Sequence, residues 1–260
     1  MQELDYTRIH RHWHDESDEH FIKESGHLSG KFSPLLPADR SAVVLEVGCG
    51  MGFALGALQH LGFTAIEGID ADRGQVALAT RRGLPVTHVP VDAFPAFMAA
   101  RHGRYDVVMA IDVLEHVPVS AQIDFLERIV SAMKPDGLFI CQVPNANSGI
   151  ASRYRYGCWT HHCSFTEHSL DFVLFNAGFE RILVMETDRT WFPRLNRRFV
   201  GNLRHYVLVQ AFRWLRRLEF VAALGNEGYR LPLTPNIIAT ARAPQLAAAA
   251  EDTPPSPAPG

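Results

Sequence analysis

Four cysteines in 260 residues, none in a C-x-x-C pair, leave little to staple this chain together. Cys49, Cys141, Cys158 and Cys163 follow neither a disulfide framework nor the paired ligand spacing of a structural zinc site, and no metal constellation is expected. No apolar segment follows a basic start at the N-terminus, so the expected compartment is a reducing cytoplasm. No apolar run approaches the ~20 residues that span a bilayer, which excludes a transmembrane helix and leaves attachment to the inner face of a membrane open. Charge of one sign is also missing: a net charge of −3 gives no general attraction to nucleic acid. With 47% hydrophobic and 20% charged residues the chain can bury one large core, and one domain with embellishments is expected.

What is present begins with an apolar, β-branched run over residues 42–47, which reads as a buried parallel strand. Gly48, Gly50 and Gly52 then form a tight turn into a helix over 53–61. Glycine suits such a turn because a Cβ would block positive φ and the approach of a ligand, while the helix start offers unpaired N–H groups. The dinucleotide fingerprint G-x-G-x-x-G fails, because Phe53 holds its last position. Short apolar strands then alternate with helical segments, the pattern of a doubly wound α/β sheet. Residues 64–70 give the second strand, with Asp70 at its carboxyl end, 18 residues after Gly52. There Asp70 either accepts both hydroxyls of a ribose or caps the helix over 71–82. Residues 85–91 give the third strand, followed by Asp92, a candidate cap of the next helix, and Ala93.

Glu46 two residues before G-x-G-x-G resembles motif I of class I methyltransferases that use S-adenosylmethionine (SAM). The run Y-D-V-V-M-A-I-D-V-L-E-H-V over 105–117 resembles motif IV of that family and is more specific than the glycines. K-P-D-G at 134–137 resembles its K-P-G-G turn, with Asp136 as a departure, and T-H…F-T…S-L over 160–170 resembles a subgroup active on small metabolites, quinones and glycans. About half the chain, from Gly48 to Phe179, carries the resemblance. It implies a Rossmann-like, mostly parallel seven-stranded sheet with helical insertions. It also implies a SAM site made of Glu46, Gly48, Cys49, Gly50, Gly52, Asp70, Ala71, Asp92, Ala93, Ile111 and Asp112. Asp92 and Ala93 would meet the adenine, and Asp112 would lie at the switch point of the sheet, near the transferred methyl group. The implied acceptor is a small molecule or glycan, methylated at oxygen. Asn-Pro-Pro-Tyr and Asp-Pro-Pro-Tyr, typical of base amino methylation, are absent after the fourth strand.

The remaining segments divide the chain into an N-terminal cap (1–40), the methyltransferase domain (41–242) with insertions at 144–166 and 189–230, and a disordered tail (243–260). The cap is polar and expected to be solvated, with His10, His12 and His14 around Trp13. Ile123, Leu126, Ile129 or Val130 and Met133 mark the apolar face of a helix over 121–133, residues 138–143 a fifth strand, and 167–176 and 180–186 a further helix and strand. Residues 236–241 read as the last, edge strand. In the second insertion nine arginines face two glutamates, a net charge of +7. There Val200, Leu203, Val207, Ala211, Trp214, Leu218 and Val221 make an amphipathic stripe. The stripe is expected to pack on the core or on a second subunit as a homodimer contact. The sharper alternatives are an anionic membrane surface met through 196–224, or a cover over a phosphorylated or lipid-linked acceptor.

Methyl transfer from a sulfonium releases a neutral thioether and needs no general acid, so a base matters only for the acceptor. His161 and His116 are the candidates, His161 preferred because it lies in the substrate-side insertion. Two rivals remain: a protein that keeps the fold and only binds or scaffolds, and a nicotinamide-dependent oxidoreductase.

Overall fold

The computed structural model describes residues 14–187 and 199–245, with the side chains of 199 and 200 left aside. His10, His12, Trp13, the arginines at 189, 194, 197 and 198, and the tail from 246 lie outside the described residues. Seven strands form one sheet in the order β3-β2-β1-β4-β5-β7-β6. They are β1 (Val44–Val47), β2 (Ile66–Asp70), β3 (Val86–His88), β4 (Tyr105–Ile111), β5 (Met133–Pro144), β6 (Glu180–Glu186) and β7 (Asn236–Arg242). All neighbouring pairs are parallel except those of β7, which runs antiparallel to both β5 and β6. The doubly wound expectation holds, but β7 is not an edge strand. Ile237, Ile238, Ala239 and Ala241 are buried, as a strand covered on both faces requires, and the edges fall to β3 and β6.

Alternation along the strands divides the core between the two faces. Leu45, Val47, Val108 and Ala110 point to one side, where α5 (Gln122–Ala132) and α7 (Glu167–Asn176) supply Leu126, Ile129, Leu170 and Leu174. Val44, Val107 and Met109 point to the other, meeting Phe32, Leu55, Leu58 and Ala79 from α1 (Asp18–Phe32), α2 (Phe53–His60) and α3 (Arg73–Arg81). A short α4 (Phe94–Ala99) follows β3, and Phe94 stacks on Phe125 of α5.

The solvated N-terminal segment differs from expectation between 18 and 32. Helix α1, capped by the Ser17 side chain, lies on α2 through Phe21, Ser25, Leu28, Ser29 and Phe32. Two serines on its inner face make it read as polar, yet they permit close approach. Gly56 of α2 completes that contact: a Cβ there would stand 2.5 Å from both Phe21 Cζ and Ser25 Oγ. Helix α5 also differs in detail. Gln122, not Ile123, points inward, because its amide nitrogen donates to the Leu114 and Val117 carbonyls at 3.1 Å each.

Among the insertions, α6 (Ala151–Gly157) follows β5, and α8 (Phe199–Leu224) precedes a 3-10 turn and β7. The side chain of Arg217 on α8 donates to the carbonyls of Gly228, Tyr229 and Leu231, which ties the helix to that turn. The described part of the amphipathic stripe does not pack on the core as expected. Val207 and Trp214 are 55% and 63% exposed, and Phe212 and Leu215 beside them are also open. Among the described residues, α8 makes its close contacts chiefly with the 3-10 turn that follows it and not with the strands of the sheet. No helix among the described residues is long and apolar enough to cross a membrane.

Candidate active site

The carboxyl ends of β1, β2 and β4 meet at the middle of the sheet, where the strand order reverses and α/β folds bind ligands. After β1 the loop 48–52 turns sharply: φ is +69° at Gly48, +52° at Gly50 and +86° at Gly52, and the Gly52 N–H donates to the Cys49 carbonyl at 2.8 Å. Only glycine adopts all three without strain. The protein's own packing asks for glycine too, since a Cβ on Gly48 would stand 2.4 Å from Val113 Cγ2 and one on Gly50 2.7 Å from Gln75 Oε1.

Asp70 ties this loop to the end of β2. One carboxylate oxygen accepts the Gly50 N–H at 2.8 Å and the other the Asp72 N–H at 2.8 Å. The helix cap belongs to Asp72, whose side chain accepts the Gln75 N–H at 2.9 Å, so the capping reading of Asp70 fails. Each carboxylate oxygen of Asp70 retains lone pairs. Burial pushes the Asp70 carboxyl up, against the Asp72 and Gly50 N–H groups. Glu46 is buried with Oε2 unpartnered, and burial, then the charge of Asp70, raises its carboxyl well above the usual range. Gln75 Oε1 is also buried and unpartnered. The Ala71 carbonyl is met by His88 Nε2 at 3.0 Å. Asp92 and Ala93 stand exposed at the far end of β3, and α4 begins without a side-chain cap, so the capping reading of Asp92 also fails.

At the end of β4, Ile111 leads into Asp112, which has φ +55°. Both Asp112 oxygens accept from Gln142 Nε2 at 2.9 Å, and Lys31 of α1 donates to Gln142 Oε1. Asp112 is solvent-exposed, with protein close around its carboxylate. Those surroundings push its carboxyl up, while Gln142, Lys31 and His161 pull it down. Glu115, inside the same motif, is fully buried, and neither carboxylate oxygen has a hydrogen-bond partner among the described residues.

His116 and His161 come together, their rings edge to face at 4.5 Å and 87°. Thr160 Oγ1 lies 2.7 Å from His116 Nδ1 and 3.2 Å from Cys158 Sγ. Burial works upward on the Cys158 thiol, but hydrogen bonds with His161 and Thr160 outweigh it and bring the thiol to about 7. Cys163 turns away to Gln122, whose Nε2 is 3.2 Å from its sulfur. Cys158 and His161 lie three residues apart in one loop; the meeting with His116, from the turn after β4, was hidden in the sequence.

Comparison with known proteins decides the family: the model described as "Methyltransferase domain" matches residues 19–184. The chain belongs to this methyltransferase family. The matched residues reach back to α1, which the sequence placed outside the domain. A ubiquinone biosynthesis O-methyltransferase of Paramagnetospirillum magneticum is 36% identical over 115 residues, covering 43% of this chain and 44% of that one. Another, from Paraburkholderia xenovorans, is 32% identical over 131 residues, covering 49% and 50%. The chain thus spans at most half the length of these relatives. A SAM-dependent methyltransferase from Archaeoglobus fulgidus shares the fold at TM-score 0.59 and 18% identity, over 86% of this chain and all of that one. Phosphoethanolamine N-methyltransferase 2 of Haemonchus contortus, solved with SAM, gives 0.53 and 17%, over 85% and 53%.

The methyltransferase site fits SAM. That cofactor brings an ammonium and two ribose hydroxyls as donors, and the residues around the glycine turn offer matching acceptors: the unpartnered oxygens of Glu46 and Gln75 and the remaining lone pairs of Asp70. Thr160 was marked only as the start of the T-H segment, and Gln142, Lys31, Gln75 and His88 escaped sequence reasoning. Of these only Gln142 left a signal, as one polar residue inside the apolar run F-I-C-Q-V-P of β5.

Proposed function

We propose that this protein is a SAM-dependent methyltransferase acting at an oxygen of a small-molecule or glycan-type acceptor. The observation that carries the reading is the Gly50–Asp70–Asp72 junction, which fixes a glycine turn and an acceptor carboxylate side by side at the switch point. When bound, SAM supplies an electrophilic methyl group on a sulfonium. Asp70 accepts from the ribose hydroxyls, Glu46 faces the cationic amino-acid end, and Asp92 with Ala93 meets the adenine. The loop residues Gly48, Cys49, Gly50 and Gly52, with Ala71, approach through backbone. Ile111 and Asp112 form the floor beneath the reacting methyl, where Gln142 and Lys31 hold the Asp112 carboxylate in place. His161, with His116 against it, takes the proton of the acceptor hydroxyl. Names of the relatives support oxygen as the target atom, because those proteins are O-methyltransferases.

Turnover with methyl-labelled SAM on a panel of phenolic and sugar hydroxyls tests this. His161→Ala should lower kcat by about 10²–10⁴ with SAM affinity retained. Labelled amines in place of ethers, or SAM binding with no turnover on any acceptor, would count against the reading.

The arginines and open apolar side chains of α8 favour a phosphorylated or lipid-linked acceptor, met by a cytoplasmic enzyme at an anionic membrane surface. Co-sedimentation with anionic vesicles should exceed that with neutral ones and fall on Trp214→Glu. Equal sedimentation with both lipids contradicts the membrane placement.

A further inference from the structure

We propose that His116, Cys158 and His161 form a binding site for one divalent transition-metal ion of the zinc class. The ligand atoms of the three side chains all lie within 4.8 Å of one another. Around tetrahedral zinc, with Zn–N about 2.0–2.1 Å and Zn–S about 2.3 Å, such atoms sit roughly 3.3–3.7 Å apart. Small rotamer changes therefore close the set. Three protein ligands with one open position follow the pattern of catalytic rather than structural zinc sites.

Two further observations point to a cation. His161 Nδ1 is buried with no hydrogen-bond partner, a cost that a metal bond would remove. Glu115, next in the chain to His116, is fully buried with both carboxylate oxygens unpartnered among the described residues, a cost that a neighbouring cation would offset. Thr160 orients the ligands. With its hydroxyl donating to Cys158 Sγ and accepting from His116 Nδ1–H, the tautomer of His116 presents Nε2 as its lone-pair nitrogen. The three ligands come from the turn after β4 and from the loop after α6, and all three are partly buried, so the site is walled without being sealed.

The ion would bind a hydroxyl oxygen of the acceptor in its open position and lower that hydroxyl's pKa. With the ion bound, His161 is a ligand and the metal takes over the base role proposed for it above: the proton leaves to solvent, the oxygen forms its bond to the methyl carbon, and the C–S bond breaks with its electron pair going to sulfur. This use of the ion rests on the methyl-transfer reading; the site itself does not. The acceptor class it selects is an acidic hydroxyl, such as a phenol, able to bind metal as an anion.

Titration of chelator-stripped full chain with Co²⁺ tests the site. Expected is one equivalent of cobalt with tetrahedral visible bands and a thiolate-to-cobalt charge-transfer band, displaced by one equivalent of Zn²⁺. Cys158→Ser should abolish the charge-transfer band, His161→Ala should weaken binding at least tenfold, and Cys163→Ser should change neither. A folded wild type without the charge-transfer band overturns the proposal. So does a band that survives in Cys158→Ser, since the thiolate then lies elsewhere. Calorimetry of SAM on the same samples separates the two readings: cobalt bound without SAM binding keeps the metal site and removes the methyltransferase mechanism.

Discussion

Asp70→Ala should bind SAM about 100- to 1000-fold more weakly than wild type, a loss of ~3–4 kcal/mol. The side chain has two tasks. It holds the Gly50 and Asp72 N–H groups, each at 2.8 Å, and so keeps the turn after β1 against the end of β2. Its remaining lone pairs would, on the proposed reading, accept from the ribose hydroxyls. Hydrogen bonds to a carboxylate contribute ~1.5–3 kcal/mol each, and those in one network do not add fully. Asp72→Ala separates the binding role from a helix effect. Removing that cap should cost ~1 kcal/mol of stability and leave SAM affinity within a few-fold of wild type. Calorimetric titration with SAM and with its demethylated product gives both affinities. Equal weakening by the two substitutions would place the effect in α3 and not in the carboxylate of Asp70.

Gly52→Val should destabilise the fold by ~2–5 kcal/mol, the sum of a left-handed backbone forced on a β-branched residue and an overpacked contact. Gly52 has φ +86°, and a Cβ there would stand 2.2 Å from Leu84 Cδ1 and 3.4 Å from Ala79 Cβ. Domains are stable by only about 5–15 kcal/mol, so a loss of this size removes a large share. Gly62→Val isolates the backbone part: φ is +89°, but the nearest atom to a Cβ is Arg40 Cγ at 4.0 Å. Chemical denaturation should therefore rank Gly52→Val well below Gly62→Val. If the two fall together, Leu84 gives way freely and the loop is not held by the packing of α3 and β3 against it.

What the sequence made legible was local. The β1 turn showed itself because three glycines at alternate positions have few other uses, and β4 through Y-D-V-V-M-A-I-D. Helix α7 and strand β6 fell where expected, because Thr166 and Ser169 make a reciprocal cap and Gly178, with φ +90°, ends the segment. What stayed hidden depends on contacts between distant segments. The place of β7 between β5 and β6 follows from pairing across the sheet, which an apolar strand near the end of the chain does not announce. The packing of α1 depends on serines, which read as polar, meeting Gly56. At the site, Asp70 and Asp112 were found by their positions at strand ends, whereas Gln142, Lys31 and the meeting of Cys158 with His116 required the fold. The exposed stripe on α8 follows the same logic: periodicity reveals an apolar face, and only the surrounding structure tells what covers it.

The measurement that tests the account most directly is equilibrium titration of the folded wild-type chain with SAM and with NADH, side by side. The account predicts saturable one-to-one binding of SAM and none of NADH. Binding of NADH without SAM, or of neither, would contradict it.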